Sequence, residues 1–422
     1  MAHSETAQAV PVPGGTATRR MTLEEAQRQL RQLLIPVVAK TLVPVSAAVN
    51  RVLSSDLIAP IDLPRDDRAA LDGYAFQSAD LAGADILRLA LVGRSAAGHP
   101  YAGPTEAGSA IRILTGGSLP AGYDSVVMQE ICTEADGIVS FQAAALTGNH
   151  VRRRGEDCRA GTVILPHGHR LRPADLGIAS GCGLAVLPVY DTLRVALFST
   201  GDELVEPGRD LPSGHIWDAN RAMLKALVQE SGALVNDLGI LPDRSEDMRD
   251  ALTRAAHDHD LIITSGGMSV GDEDHVKQII NRRGRLEMWR LAIKPGKPVG
   301  FGDIDDCPII ALPGNPVAAV VTFLTLGRLA VSRLSGSNES TLRQLHLPAG
   351  SAIRKQAGRR DFLLAKLVTA ENGLSRAVPL VKQGSAMLSS LMEADGLIDL
   401  DEDLTEIAPG ETIRYLPLPA SF

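Results

Sequence analysis

Residues 262–277 read IITSGGMSVGDEDHVK: an apolar run ends in a glycine pair, crosses small polar residues and finishes on three acids in a row. Ser265, Gly266, Gly267, Ser269 and Gly271 offer amides and hydroxyls of the kind that surround an oxyanion. Asp272 and Asp274 offer carboxylates suited to Mg²⁺, which takes oxygen ligands and keeps several waters. Three other stretches have the same character. FSTGDEL at 198–204 places Thr200, Gly201, Asp202 and Glu203 just after an apolar run. LAIKPGKP at 291–298 supplies Lys294 and Lys297, compact charges able to neutralise phosphate or another oxyanion. LPGNP at 312–316 sets Pro313, Gly314 and Asn315 ahead of a helix beginning at Pro316, which Asn315 is expected to cap. Taken singly, each stretch also reads as a plain turn, an acid-favoured first helical turn or a solvated lysine. Taken together they point to phosphoanhydride or related oxyanion chemistry with a divalent metal, Glu203 and Asp274 being the best-placed metal carboxylates.

Such loops need a frame that brings them to one edge. Between 191 and 335, strands are expected at Leu193–Phe198, Ala233–Ile240, Leu261–Thr264, Met288–Ile293 and Ile309–Leu312. They alternate with helices near Arg221–Glu230, Glu246–Ala256, Asp274–Asn281 and Val317–Leu334. Strand–helix alternation predicts a doubly wound, mostly parallel α/β domain, in which ligands bind beyond the carboxyl ends of the strands. All four loops follow expected strands.

The fold class is therefore multidomain, α/β plus all-β, with β-rich regions on both sides of the central domain. Residues 1–20 read as a disordered tail. Residues 21–62 with 152–190 form a linker domain, and its first helix opens at Thr22 with Glu25 three residues on, a capping-box pattern. That helix is expected to pack against the 152–190 stretch. Residues 63–151, with short apolar runs between Gly and Pro, form a small β domain. Residues 336–422 form another, with strands near Phe362–Leu367 and Thr412–Leu416.

The chain has 422 residues, 45% hydrophobic and 22% charged, a globular composition. A net charge of −8 and 3% aromatics argue against nucleic acid as a partner. The 4 cysteines, Cys132, Cys158, Cys182 and Cys307, form no Cys-x-x-Cys pair, which suits a reducing cytoplasm. The N-terminal stretch lacks the apolar core of a signal peptide. The uncharged run from Cys307 to Gly327 is broken by PGNP and reads as strand, turn and helix, so no membrane insertion is expected.

These loops, together with LDGYAF at 71–76, RILTGGSLPAGYDSVVMQE at 112–130 and VRRRGEDCRAGTVIL at 151–165, resemble the molybdopterin molybdenumtransferase family, MoeA-like proteins related to the gephyrin E domain. The resemblance runs from about Met21 to the C-terminus. It implies a four-domain homodimer with its active site in a cleft between subunits. The implied substrates are molybdate and adenylated molybdopterin, with AMP released in a Mg²⁺-dependent step. The implied partners are a molybdopterin adenylyltransferase and recipient molybdoenzymes. Residue by residue, it implies roles for Asp72, Thr115, Arg152, Glu203, Asp243, Asp274, Lys294, Lys297 and Ser385, the last in KQGSAM. The chain departs from the family pattern at Arg68 and Ala69 (usually an Asn-Ser pair), at Arg290 (often lysine) and at Leu364 (commonly arginine). The lost charge at Leu364 predicts a slower transferase that Leu364→Arg would speed up. Two alternatives stand beside this reading: a non-catalytic molybdopterin-binding carrier, and a nucleotide pyrophosphatase sharing the α/β domain.

Overall fold

The computed structural model describes residues 20–143, 150–241, 245–266, 280, 283–338, 342–369 and 373–419. Two compact units divide the chain. The larger holds the chain up to Thr41, Asn50–Val52 and everything from Tyr190 onward; the smaller holds Leu42–Val49 and Leu53–Val189.

The larger unit begins with α1 (Leu23–Leu33), opened by the expected capping box: the Glu25 amide donates to Thr22 Oγ1 at 3.1 Å and the Thr22 amide to Glu25 Oε2 at 3.0 Å. Its central sheet contains β1 (Arg194–Thr200), β2 (Leu234–Leu241), β3 (Leu261–Ser265), β4 (Gly284–Arg290), β5 (Pro298–Ile304) and β6 (Cys307–Leu312). The order across the sheet is β2-β1-β3-β6-β5-β4. Strands β2, β1, β3 and β6 pair in parallel. Period-two alternation decides what each face meets. Val195, Leu197, Ile263 and Ile310 pack with Leu224, Leu227 and Val228 of α2 (Asn220–Glu230). Ala196, Phe198, Ile262 and Ile309 pack with Met248, Leu252 and Ala255 of α3 (Ser245–Asp258). Helices on both faces make the domain doubly wound, as expected.

One strand differs. The stretch expected at Met288–Ile293 is instead β4, Gly284–Arg290, antiparallel to β5, which is antiparallel to β6. Alternating apolar residues look the same in either direction, so composition could not distinguish the pairings. Two reversals restore direction, and residues 291–297 still leave the edge at which β6 ends. Apart from Ile280, the helix expected at Asp274–Asn281 lies outside the described residues.

The run Pro316–Leu334 is apolar and long enough to cross a membrane, but 89% of its most apolar window is buried inside the protein. It is α4 (Pro316–Thr322), a π-helical segment Phe323–Gly327 and α5 (Arg328–Leu334). The widened π turn offers its backbone to α1: Gln27 Nε2 donates to the Thr325 carbonyl at 3.0 Å. Leu23, Ala26 and Leu30 of α1 join the core formed by Leu193, Leu326, Leu329 and Leu334. Residues 152–190 pack elsewhere, where Leu165, Leu171, Ala179 and Leu187 cluster with Val45, Leu53 and Leu57. Within the larger unit, the apolar stripe of α1 finds its partner on the α4–α5 helix.

A second sheet in the larger unit is built from the C-terminal chain, β7 (Arg360–Thr369), β8 (Gly396–Leu400) and β9 (Thr412–Pro417) among its strands. Its edge is the dipeptide Ile293–Lys294, which pairs in parallel with Arg360–Asp361. The smaller unit carries a six-stranded sheet in the order 125–128, 73–76, 109–113, 86–95, 138–142, 133–135. One of its pairings, 86–95 with 109–113, is parallel.

Leu364 lies on β7, 1% exposed among Leu23, Leu391, Leu397 and Leu416. It is a core position, and the cation expected there has no room. Ala69 is likewise 1% exposed, beside Ile111, Ile113 and Tyr123. Leu364→Arg is therefore expected to lower stability by about 3–5 kcal/mol, through a lost apolar contact and an unpaired buried charge. A urea midpoint equal to that of the parent would show that the side chain reaches solvent.

Candidate active site

One cavity of about 810 Å³ lies at the carboxyl edge of the central sheet and contains most of the residues singled out in this unit. Glu203, Gly266, Lys294, Lys297, Pro313, Gly314, Asn315 and Ser385 line it. Ser265 lies just beneath, 2% exposed. Asp243, Gly267, Ser269 and Asp274 lie outside the described residues.

The loops meet closely. At Gly266, φ is +88°, and a Cβ would fall 2.3 Å from the Thr200 carbonyl oxygen, so the end of β3 touches the end of β1 only through glycine. Gly296 has φ +110° and a Cβ there would come 2.5 Å from Thr322 Oγ1, which seats the KPGKP turn on α4. Beneath them, Asn220 at the start of α2 is 9% exposed; its Nδ2 donates to Ser265 Oγ at 2.9 Å and to the Gly314 carbonyl at 2.7 Å. Three loops are joined by one amide. Asn315 occupies the N-cap position of α4, yet its side chain makes no capping bond, contrary to expectation; it is exposed and lines the cavity.

Glu203 is set by a small ladder. Leu204–Val205 pairs in parallel with Ile216–Trp217, and the Ile216 amide donates to the Glu203 carbonyl at 2.8 Å. Arg221 anchors this ladder from α2. Its Nε meets Asp218 at 3.0 Å, and its two other nitrogens meet Asp237 and Glu206. Burial opposes its charge, but Asp237, Asp218 and Glu206 together raise its pKa further.

The opposite wall comes from the C-terminal sheet. Gln383 fixes it: Nε2 donates to the carbonyls of Leu364 and Leu380, each at 2.8 Å, while Oε1 accepts from the Leu364 amide at 3.0 Å. The Val317 amide donates to the Ser385 carbonyl at 2.9 Å, which brings Ser385 to the first turn of α4. Arg359 also lines the cavity and pairs with buried Asp361 at 2.9 Å. The sequence reading missed Arg359, Gln383, Asn220 and Arg221. The signal for Arg359 was available: in RRDFLLAKL, strand alternation places Phe362 and Leu364 on one apolar face, so the charge had to be sought before the strand's apolar core.

The smaller unit assembles the other residues. Asp72 Oδ1 accepts from the Thr115 amide and from Thr115 Oγ1, both at 2.7 Å, and those two bonds hold its carboxyl below the usual carboxylate range. The dipeptide Arg68–Ala69 connects them to Arg152. Ala69 exchanges backbone bonds with Gly116 and Gly117, both at 2.9 Å, and Val151–Arg152 pairs with Ala69–Arg68. Arg152 itself pairs with Glu156 at 2.8 Å, Arg153 with Asp67 and Arg154 with Asp62.

Chemically, the cavity favours an anion. Lys294 and Lys297 have no ion pair among the described residues, and Arg359 adds a half-neutralised charge. Among the described residues Glu203 is the one carboxylate lining the cavity, and no group of three His, Cys, Asp or Glu side chains is placed to hold a metal. One carboxylate fits Mg²⁺ only where substrate phosphate supplies the remaining protein-independent ligands, the usual manner for that ion.

Comparison with known proteins gives a consistent result across the chain. The MoeA N-terminal region (domain I and II) matches residues 21–183, a probable molybdopterin binding domain matches 196–333, and the MoeA C-terminal region (domain IV) matches 346–418. A Haemophilus influenzae protein named molybdopterin molybdenumtransferase is 37% identical over 401 residues, covering 94% of this chain and 98% of its own. A Mycobacterium tuberculosis protein, molybdopterin molybdenumtransferase 2, is 34% identical over 406 residues, 94% and 99% of the two chains. The crystal structure of a molybdopterin biosynthesis moeA protein from Pyrococcus horikoshii OT3 superposes with a TM-score of 0.81 at 27% identity, over 95% of this chain and 100% of that one.

If Asn220 is the common anchor of three loops, Asn220→Ala will leave a hydroxyl and a carbonyl unmatched and lower stability by about 1–3 kcal/mol. Hydrogen exchange should then speed up at Ser265 and Gly314 together. Faster exchange at only one of them would mean the loops are held independently.

Proposed function

The chain belongs to the MoeA family, and from that premise we propose that it acts as a molybdopterin molybdenumtransferase. It takes adenylated molybdopterin and molybdate, places molybdenum on the dithiolene and releases AMP. The observation that carries this reading is the meeting of Lys294 and Lys297, which have no ion pair among the described residues, with Arg359, Ser385 and Glu203 in one cavity. Cations with no protein partner keep their full charge for an oxyanion. Ser385 adds a hydroxyl donor, held at the start of α4 by the Val317 amide on its carbonyl. The lysines bind and orient the anionic substrates; Arg359, steadied by Asp361, fixes the geometry on the C-terminal wall.

Glu203, with Asp274, is proposed to hold Mg²⁺ together with substrate phosphate. When bound, the ion supplies charge neutralisation at the phosphoanhydride that breaks. Asp72, kept ionised by Thr115, and Arg152 are assigned to the same reaction by family resemblance, as is Asp243. Leu364 and Ala69 are core residues and line no part of this cavity, so neither departure removes a charge from it.

Further assignments follow from the resemblance: a homodimer, supply by a molybdopterin adenylyltransferase, delivery to molybdoenzymes, and a cytoplasmic location. The net charge of −8 supports the absence of nucleic acid from the list of partners.

Incubation with adenylated molybdopterin, molybdate and Mg²⁺ should release AMP in step with cofactor formation. Lys297→Ala should lower kcat/KM about tenfold to a hundredfold, the size of a lost charge-assisted hydrogen bond. Glu203→Gln should raise the Mg²⁺ requirement while the unfolding midpoint stays put. Tight binding of adenylated molybdopterin without any AMP release would support the carrier reading instead. Light scattering should give twice the chain mass of 44.7 kDa; a single-chain mass would remove the homodimer.

A further inference from the structure

Two of the four cysteines touch. Cys158 Sγ and Cys182 Sγ are 3.7 Å apart in the smaller unit, both as free thiols. Neither sits on a loose segment. The Cys158 backbone is bonded on both sides to Leu63, through Leu63 N to Cys158 O at 2.8 Å and Cys158 N to Leu63 O at 3.2 Å. Cys182 closes the helix Pro173–Gly181, its amide donating to the Ile178 carbonyl. The other two cysteines point at carbonyls: Cys132 at Met128 O, 3.3 Å, and Cys307 at His259 O, 3.4 Å.

We propose that Cys158 and Cys182 form a modification site that low-molecular-weight disulfides convert reversibly into an intramolecular disulfide. A disulfide brings sulfurs to about 2.0 Å, so closure requires an approach of under about 2 Å between side chains that already meet. Entry is through Cys158, the partly exposed member; Cys182 is 2% exposed. The Cys158 thiolate attacks one sulfur of an external disulfide, forming a mixed disulfide and expelling one thiolate. The Cys182 thiolate then attacks the Cys158 sulfur, closing the protein disulfide and expelling the second. The two protein thiol protons end on the two expelled thiolates, so two protein thiols and one small disulfide give one protein disulfide and two small thiols.

The second step is slow near neutrality, because burial and the neighbouring Cys158 push the Cys182 thiol up to about 11. Burial also pushes Cys132 up to about 11 and Cys307 up to about 12, and these serve as internal controls without a sulfur partner. The span between Cys158 and Cys182 starts just after the arginine run. Arg153 and Arg154 of that run pair with Asp67 and Asp62, and the Ala160 amide bonds Asp62 at 2.9 Å. Closure therefore ties the segment following Arg152 to the helix end.

The test treats the full-length protein with glutathione disulfide and follows thiols and masses. Titratable thiols should fall from 4 to two, with no glutathione retained, and peptide mapping should find Cys158 joined to Cys182. Dithiothreitol should restore the starting state. Closure should quicken about tenfold per pH unit between 7 and 9, following the thiolate fraction. Cys182→Ser should stop at a glutathione adduct on Cys158, and Cys158→Ser should not react. A bridge to Cys132 or Cys307, a mixed disulfide that persists on Cys158 in the parent protein at pH 9, or no reaction at pH 9 would each overturn the proposal.

Discussion

A buried amide at the foot of helix α2 carries a constraint on which the rest of the cavity depends. Asn220 donates from one nitrogen to Ser265 on the middle strand and to Gly314 beyond the next, while its own helix follows the loop of Glu203. Three chain segments, more than forty residues apart in sequence, are thereby held at hydrogen-bond distance. Leaving either acceptor unmatched in a buried place costs about 1–3 kcal/mol, so the loops have one favourable arrangement. The glycines follow from it. Gly266 can approach the Thr200 carbonyl, and Gly296 can approach Thr322, because neither has a Cβ.

Charge is arranged in two layers around that anchor. Below, Arg221 is surrounded by Asp218, Asp237 and Glu206 and is 9% exposed, a cluster whose partners satisfy one another. Breaking such a buried pair is strongly destabilising, about 3–5 kcal/mol, so the ladder holding Glu203 is stiff. Above, Lys294 and Lys297 face the cavity without partners among the described residues. Paired charge gives rigidity and unpaired charge gives affinity.

The second wall comes from a different sheet. Ile293–Lys294 leaves the central sheet and becomes an edge strand beside Arg360–Asp361. That short pairing brings Arg359, Phe362 and the Gln383–Ser385 stretch to a cavity also lined by residues of the α/β region. The helix Pro316–Leu334 stabilises both sides, its apolar surface being covered by the central sheet, α1 and the C-terminal strands.

Much of this was legible in the amino-acid order. Period-two and period-3.6 patterns place the strands and helices of the central domain, because burial on two faces demands them. Gly-Gly, PGKP and PGNP mark the loops that could carry an oxyanion. Thr22 and Glu25 mark a helix start. What the order of residues left open was every choice between equal partners. The apolar stripe of α1 fits two surfaces, and the α4–α5 core took it. The strand at 284–290 alternates identically for either direction, and pairing with 298–304 made it antiparallel. Leu364 matched a position where a cation was expected, yet its place on β7 turned it into the core and left Arg359 to supply the charge. Asn220 and Gln383 carry no local signal at all, since an amide's role is set by carbonyls and hydroxyls that only folding brings within 3 Å. Local pattern fixes which atoms are buried; long-range packing decides which of them meet.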